Sequence, residues 1–235
     1  METLFSPTTQ DVERYQRLRA AARELNCRLT KIIPKRAMEE VGDAIGIRRN
    51  GVLLFDTLDV SSVLTDCCLY DWHEDGKNLV QRYAEMHPAR PGTDESYLLD
   101  AYLQAKYRIL ITGAAVPGAG LYCEDILNGG DLFLMDRAFS QSIDGEGRAL
   151  ATRTIPMGDY WMSGGAALPI FKSDFIEDAF RQAKRERQAW LDGPGGLALL
   201  IVRACLAAGA AEYIAYENPT TKPKKSRRRP RWRGF

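Results

Sequence analysis

The hydrophobic period of this chain changes near Tyr107, and this change constrains the fold more than any other feature. Before Tyr107, apolar residues recur at spacings of three and four, which predicts helices that pack through one face. After it, short apolar runs alternate with glycine-rich turns, which is typical of strands. The chain is therefore predicted to be α+β, with helices first and strands second.

The clearest helical pattern lies near the beginning of the chain. Thr8 or Thr9 can cap its start, and Pro34 ends it and suits the first turn of a second helix. Further helices are predicted at residues 60–72, at 77–86 and after Thr93, whose hydroxyl can act as a cap. The apolar positions of the first helix are Val12, Tyr15, Leu18, Ala22, Leu25, Leu29 and Ile32.

About five short strands are predicted after the change of period. Turns at 117–120, 128–131 and 144–147 separate them, because Asn and Gly accept positive φ. Such a set would be exposed to aggregation if it left a long unpaired edge, so we expect a small closed or half-closed β-barrel. The predicted strands are 108–116, 121–127, 132–139, 149–156, and a last one formed by 160–163 with 167–170.

These patterns divide the chain into four regions. They are a helical region at 1–106, a small β-barrel-like domain at 107–172, C-terminal helices at 173–217 and a disordered basic tail at 218–235. The hydrophobic fraction of 45% is ordinary for a globular protein, so a packed body is expected. The tail has no apolar residues except Trp232 and Phe235 after residue 218, too few to form a core.

The tail also concentrates positive charge. From Lys222 onward there are eight basic residues and no acid, while the rest of the chain has 24 basic and 31 acidic residues, a net charge of −7. Arginine pairs bidentately with phosphate and a tryptophan can stack on a base, so the tail predicts contact with RNA, DNA or a ribosome. A solubility or localisation tail, or one that lies against the acidic body, is the alternative. The predicted nucleic-acid-binding residues are Lys222, Lys224, Lys225, Arg227, Arg228, Arg229, Arg231, Trp232 and Arg233.

One cluster contains the residue types that hold metals. It consists of Asp66, Cys67, Cys68, Asp71, His73, Glu74 and Asp75. On a helix, Asp66, Cys67 and Asp71 share one side, which would suit a metal-dependent hydrolase or nuclease. The competing interpretation is a half-buried helix with small cysteines in the core and a solvated acidic end. Since the chain has only two histidines, we favour the interpretation as a half-buried helix and predict no catalytic residue, metal or cofactor.

Other function classes lack their signatures. The glycine-rich stretches carry no P-loop or dinucleotide motif, and no serine or cysteine stands in a nucleophile elbow. The apolar run 197–216 contains Arg203 and Glu212, so no membrane span is expected. Five scattered cysteines and the lack of a signal peptide predict unpaired thiols in a cytoplasmic protein.

Several short motifs between residues 51 and 170 carry a resemblance. They are 69–72 (LYDW), 76–78 (GKN), 82–83 (RY), Tyr107, 124–129 (EDILNG), 132–136 (LFLMD), 156–159 (PMGD), Trp161 and 164–165 (GG). In these motifs the chain resembles an uncharacterised bacterial family related to SEC-C-motif-associated proteins. The resemblance implies a helical region followed by a small β-domain. The cysteine-rich zinc motif itself is absent, since no cysteine follows Cys205, so zinc binding is not implied.

The favoured function is therefore a non-catalytic binding protein that contacts nucleic acid or a ribosome through its basic tail. The alternative is a metal-dependent hydrolase or nuclease that uses the cluster between Asp66 and Asp75.

Overall fold

The computed structural model describes residues 5–54, 58–142, 147–164, 167–170 and 192–210, with 178, 181 and 185 as single positions. Within these residues the helices are α1 (Thr9–Leu29), α2 (Lys35–Ala44), α3 (Leu58–Tyr70), α4 (Leu79–Met86), α5 (Asp94–Leu103), α6 (Arg137–Ser142) and α7 (Gly196–Ala207). The strands are β1 (Arg48–Arg49), β2 (Val52–Leu53), β3 (His73–Glu74), β4 (Lys77–Asn78), β5 (Lys106–Val116), β6 (Gly120–Asp125), β7 (Asp131–Met135), β8 (Ala149–Pro156), β9 (Trp161–Ser163) and β10 (Leu168–Ile170).

The predicted caps and apolar faces of the first helices are present. Thr8 and Asp11 form a capping box at the start of α1, in which each side chain accepts a hydrogen bond from the other residue's backbone N–H. The buried face of α1 contains Tyr15, Leu18 and the other positions of its three-and-four spacing. At α5, the Thr93 hydroxyl accepts a hydrogen bond of 3.2 Å from the Ser96 N–H, as expected from the sequence.

Five strands close into a barrel in the order β5-β6-β7-β9-β8. All neighbours are antiparallel except β7 and β9, which pair in parallel through Leu134 opposite Trp161. The ring closes because β9 pairs with β8 as well as with β7. Strand β10 continues along the same β8, with Leu168 opposite Ala151. The predicted α+β class with a small closed barrel is confirmed.

The barrel has the topology of an OB-fold. Counted from β5, its strands follow the order 1-2-3-5-4-1, with a parallel pair between the third and fifth strands and α6 between the third and fourth. The OB-fold is a five-stranded Greek-key barrel with this arrangement. Its interior contains a small apolar cluster of Leu110, Leu121, Cys123, Leu134 and Leu150. Phe139 of α6 packs against this cluster.

The outer wall of the barrel packs against the helices. Strand β8 is buried on both faces, so Thr152 and Thr154 have no exposed surface and Arg153, whose side chain points to the opposite face, is only 5% exposed. One continuous cluster of buried apolar side chains joins α1–α5 and α7 to residues of the outer wall, among them Ala151 and Ile155. The core therefore extends across the change of hydrophobic period at Tyr107.

Three predicted elements differ from the structure or extend beyond the described residues. The strand expected at 132–139 ends at Met135 and is followed by α6, because the Asp136 carboxylate accepts a hydrogen bond from the Phe139 N–H and so caps a helix. Of the helix expected from Ser173, only positions 178, 181 and 185 are described, and the end of the last helix, from 211 to 216, falls outside the described residues; α7 itself is present. Among the described helices, none has the length and apolar character needed to cross a membrane.

Gly120 marks a point where two barrel strands approach closely. It lies opposite Met135, and a Cβ at this position would stand 2.1 Å from the Leu134 carbonyl oxygen and 2.8 Å from the Met135 Cα. We expect Gly120→Ala to lower the free energy of unfolding by about 3 kcal/mol, because backbone atoms must move to admit the methyl group. Urea denaturation followed by circular dichroism measures this difference.

Gly113→Ala is the matched control in the neighbouring strand. Its Cβ would lie 3.3 Å from the Tyr122 carbonyl oxygen, which a small adjustment can accommodate. Equal stability losses in the two variants would contradict the close-approach explanation.

Candidate functional site

The two sites that the sequence suggests lie in different parts of the chain. The nine tail residues from Lys222 to Arg233 are outside the described residues. The cluster between Asp66 and Asp75 is described completely, at the C-terminal end of α3 and in the hairpin of β3 and β4. The geometry of this cluster can therefore be compared with the metal hypothesis.

Three members of the cluster come together. One ligand atom each of Asp66, Cys67 and Asp71 lies within 4.8 Å of the others, as expected for residues on one side of a helix. Cys67 and Asp71 are buried and Asp66 is half-buried. In the described part of the chain, this is the group whose composition comes closest to a metal site.

Arg153 of the barrel enters this group and binds both carboxylates. Its Nε lies 2.9 Å from Asp66 Oδ2, and its Nη2 lies 2.5 Å from Asp71 Oδ2. The guanidinium carbon also lies 4.4 Å from the centre of the Tyr70 ring and 5.2 Å from that of Tyr107. Two carboxylates and two aromatic rings therefore surround one buried cation, an arrangement that satisfies the charge without a metal.

The group contains two carboxylates but only one guanidinium, and the pKa of Asp71 shows the effect of this excess of negative charge. Burial raises the pKa of Asp71 to about 7, and the nearby Asp66 raises it as well, although Arg153 opposes both. Burial disfavours the charge on Arg153, but Asp66 and Asp71 outweigh that effect and raise its pKa. The raised pKa of Asp71 and the raised pKa of Arg153 are consistent with each other. Two carboxylates share one guanidinium, and the more buried carboxylate then takes up a proton most easily.

The other members of the predicted cluster lie apart from this group. Glu74 and Asp75 pair with Arg82, at 2.7 Å and 3.2 Å from its Nη atoms. The Nδ1 of His73 is 3.2 Å from the Asp71 carbonyl oxygen rather than near its carboxylate. Burial raises the pKa of the Cys68 thiol to about 12, which disfavours the thiolate that a metal would require. The four carboxylates of the cluster thus divide between two separate ion-pair groups, one around Arg153 and one around Arg82.

Sequence reasoning missed Arg153, although a signal was available. Arg153 stands in the middle of 149–156 (ALATRTIP), a run predicted correctly as a strand. A long charged side chain in an otherwise uncharged strand of a small barrel implies a buried partner. The partner itself was beyond reach, because Asp71 and Asp66 lie 82 and 87 positions away along the chain.

A second buried ion pair lies inside the barrel. Arg108 binds Asp125, donates a hydrogen bond of 2.8 Å to the Thr154 hydroxyl and lies 4.2 Å from the centre of the Trp161 ring. Burial alone would raise the pKa of Asp125, but hydrogen bonds from Asn128, Arg108 and Leu127 outweigh it, and the pKa is lowered. Asp125 therefore stays ionised to lower pH than Asp71, since it accepts several backbone and side-chain hydrogen bonds.

We expect Arg153→Met to lower the free energy of unfolding by about 3–5 kcal/mol at pH 8, because it leaves two carboxylates without their cation. The triple variant Asp66→Asn, Asp71→Asn, Arg153→Met should recover most of that loss, since it removes all three charges. Urea denaturation of the three proteins measures the differences.

The control for this series is Arg36→Ala. Arg36 forms an exposed ion pair with Glu40, with 68% of its side chain accessible, and we expect its replacement to leave the stability unchanged within error. An Arg153→Met variant as stable as Arg36→Ala would show that the buried pair contributes little to the fold.

Asp71 should also make stability depend on pH. Its folded pKa of about 7 exceeds its ordinary value of 3.8, so its contribution to stability is complete below pH 3.8 and is lost as the pH rises through 7. We expect the stability difference between native protein and Asp71→Asn to change by about 2 kcal/mol between pH 5 and pH 8, with the native protein relatively weaker at pH 8. Asp75→Asn provides the reference for an exposed carboxylate. A difference for Asp71→Asn that is constant with pH would contradict this assignment.

Comparison with known proteins gives one family and no characterised relative. No curated protein and no solved structure matches the chain. A family model described as a family of unknown function, DUF7986, matches residues 9–189, which include α1–α6, the whole barrel and the Arg153 group but not the basic tail. It provides no link to SEC-C-motif-associated proteins, so that resemblance stays a prediction. By this match, the chain belongs to the family DUF7986.

Proposed function

We propose that this protein is a non-catalytic binding protein that contacts single-stranded nucleic acid through its basic tail. The observation that carries the proposal is the charge distribution: eight cations without an acid from Lys222 onward, on a body of net charge −7. Such a body repels phosphates, so the tail provides the electrostatic attraction. Pro223, Pro230 and Trp232 stand among these cations, and an aromatic ring between cations suits stacking on an unpaired base.

The topology of the barrel supports the same proposal at the level of fold. OB-folds bind oligonucleotides and oligosaccharides through the face of their second and third strands and the adjoining loops. A fold does not imply a function, so this support is an analogy and the tail carries the argument.

The state of the buried ionisable groups is also consistent with a binding role. Asp66 and Asp71 bind Arg153, and Asp125 binds Arg108, so these carboxylates are already paired within the fold. A metal ion between Asp66 and Asp71 would have to displace a guanidinium that is 5% exposed. The hydrolase or nuclease alternative therefore gains no support from the cluster's geometry.

The tail hypothesis predicts a specific dependence on salt. If six of its cations contact phosphates, the slope of log K against log salt concentration should be about −4 for a single strand, because each contact contributes about −0.7. Fluorescence anisotropy with a labelled single-stranded RNA of 20 nucleotides, between 50 and 300 mM KCl, measures this slope. Trp232→Ala should weaken binding by about 1–3 kcal/mol if the ring stacks on a base.

The matched control is the full-length chain in which all eight tail cations are replaced by Gln, which keeps the length of the tail. We expect it to bind weakly and with a slope near zero. Removal of residues 218–235 should give the same result while leaving the circular dichroism of the body unchanged. Equal binding by the native and the Gln-substituted chains at low salt would refute the proposed function.

A further inference from the structure

Three aromatic rings form a face on the outside of the barrel, and a fourth ring covers it. Tyr122 on β6 lies directly opposite Phe133 on β7, with ring centres 5.0 Å apart in an edge-on arrangement. Tyr160 comes from the loop between β8 and β9. The covering ring is that of Phe5, whose centre is 5.3 Å from that of Phe133 and 5.7 Å from that of Tyr160. Tyr122, Phe133 and Tyr160 are called the aromatic face below.

The aromatic face occupies the second and third strands and the loop between the fourth and fifth strands. In a barrel of this topology, that is where bases of a single strand stack. Base stacking needs a flat ring but no particular base, so Tyr122 and Phe133 have the chemistry that such a site requires. In this structure the site is not accessible, because Phe133 is 3% exposed and Tyr160 is 1% exposed.

The cover is a short piece of chain. Phe5 belongs to residues 5–8, which precede α1 and form no helix or strand. Its carbonyl oxygen accepts a hydrogen bond of 2.8 Å from the Tyr122 hydroxyl, and its ring makes the two contacts given above. Ser6 and Thr8 are exposed, so the segment presents one side to solvent. Displacement of residues 5–7 alone would leave α1 and its capping box in place, because the box begins at Thr8.

A buried hydroxyl beside the cover has no hydrogen-bond partner. The Tyr160 Oη is shielded from solvent and contacts no donor or acceptor among the described residues. An unsatisfied buried hydroxyl is costly, and such a group calls for an explanation. A base or sugar bound on the aromatic face would offer it a partner.

Two arginines stand at the loops that border this face. The Arg14 Nη1 donates to the Met157 carbonyl oxygen at 3.3 Å, in the β8–β9 loop. The Arg137 Nε donates to the Gly118 carbonyl oxygen at 3.1 Å, in the β5–β6 turn. A guanidinium has five N–H donors, so each keeps donors for a phosphate.

We infer that the aromatic face is a second binding site for single-stranded nucleic acid, closed by Phe5 and opened when the segment before α1 leaves it. The inference rests on the proposed function and gives that function a site on the folded body. The tail provides attraction over a distance, while the rings provide stacking once the segment is displaced. Free protein therefore binds through the tail alone, and the stacked state appears when both sites are occupied.

The test uses four full-length proteins, with the native or the Gln-substituted tail, each with and without Phe5→Ala. The probe is a labelled oligouridine of 15 nucleotides at 50 mM KCl, measured by fluorescence anisotropy. We expect Phe5→Ala to increase affinity about tenfold on both tails, because apparent affinity falls with the fraction of molecules whose site is closed. An unchanged affinity on both tails, with native circular dichroism, would overturn the inference. The proposed function is tested separately, by the difference between the two tails.

Conservative variants separate stacking from folding. Tyr122→Phe keeps the ring but removes the hydroxyl that holds Phe5. In a chain that keeps Phe5, this variant should therefore increase the affinity for the oligouridine. In the Phe5→Ala protein, Tyr122→Leu should decrease affinity about 5- to 150-fold, the range that loss of one stacked base implies. Equal affinities for Tyr122→Phe and Tyr122→Leu, both made in the otherwise native chain, would overturn the stacking site even if Phe5→Ala fails to fold.

Tyr160→Phe gives a further readout. Since the hydroxyl has no partner among the described residues, its removal should leave the melting temperature unchanged or higher, while affinity for the oligouridine in the Phe5→Ala protein decreases. A lower melting temperature would mean that the hydroxyl is structural. Competition by an uncharged oligosaccharide, cellohexaose, would overturn the assignment to nucleic acid.

Discussion

The ion-pair group of Arg153 with Asp66 and Asp71 is the constraint on which the arrangement of this molecule depends. Arg153 projects from the outer wall of a closed barrel, while Asp66 lies on α3 and Asp71 directly follows its end, so a single cation joins the strands to the helices. Buried apolar side chains lie around the group, and only Asp66 keeps a partly exposed side chain. The apolar surface supplies most of the free energy of association, but it is non-directional. The ion pairs define which position of α3 lies against which position of β8.

Packing around Asp71 is so tight that a side chain does not fit at the glycine that faces it. The backbone approaches it at Gly195, just before α7, where a Cβ would lie 2.6 Å from the Asp71 Cα. Gly195 also has a φ of 80°, a conformation that favours glycine. Three parts of the chain therefore converge on one carboxylate: the end of α3, the middle of β8 and the start of α7. The two buried Arg–Asp pairs differ in this respect, since Asp125 gains hydrogen bonds from its own turn whereas Asp71 depends on partners distant in sequence.

Local signals in the sequence predicted the elements well and their assembly poorly. The spacing of Tyr15, Leu18 and Ala22, the cap at Thr93 and the run 149–156 each depend on neighbouring residues, and each element is found in the structure. The short helix α6 was missed because one aspartate, Asp136, ends a strand and starts a helix. The strand order was out of reach, since the parallel pairing of β7 with β9 depends on closure of the whole ring. For the candidate site, the carboxylates were identified but their cation was not. Phe5 gave no signal at all, because an apolar residue ahead of a helix has no periodic pattern.

The wide separation of Arg153 from its aspartates has a consequence for the order of events during folding. The helices before Tyr107 can begin to form early, whereas the barrel after it closes through distant pairings such as that of Tyr107 with Arg153 and forms more slowly. Until they meet, the barrel wall exposes a guanidinium and α3 exposes two carboxylates, and these groups stay hydrated. The two surfaces that will become the core therefore carry charges of opposite sign, which disfavour pairing of either surface with a second copy of itself and favour pairing with each other. The charged group thus protects the half-folded chain from self-association before it stabilises the folded one.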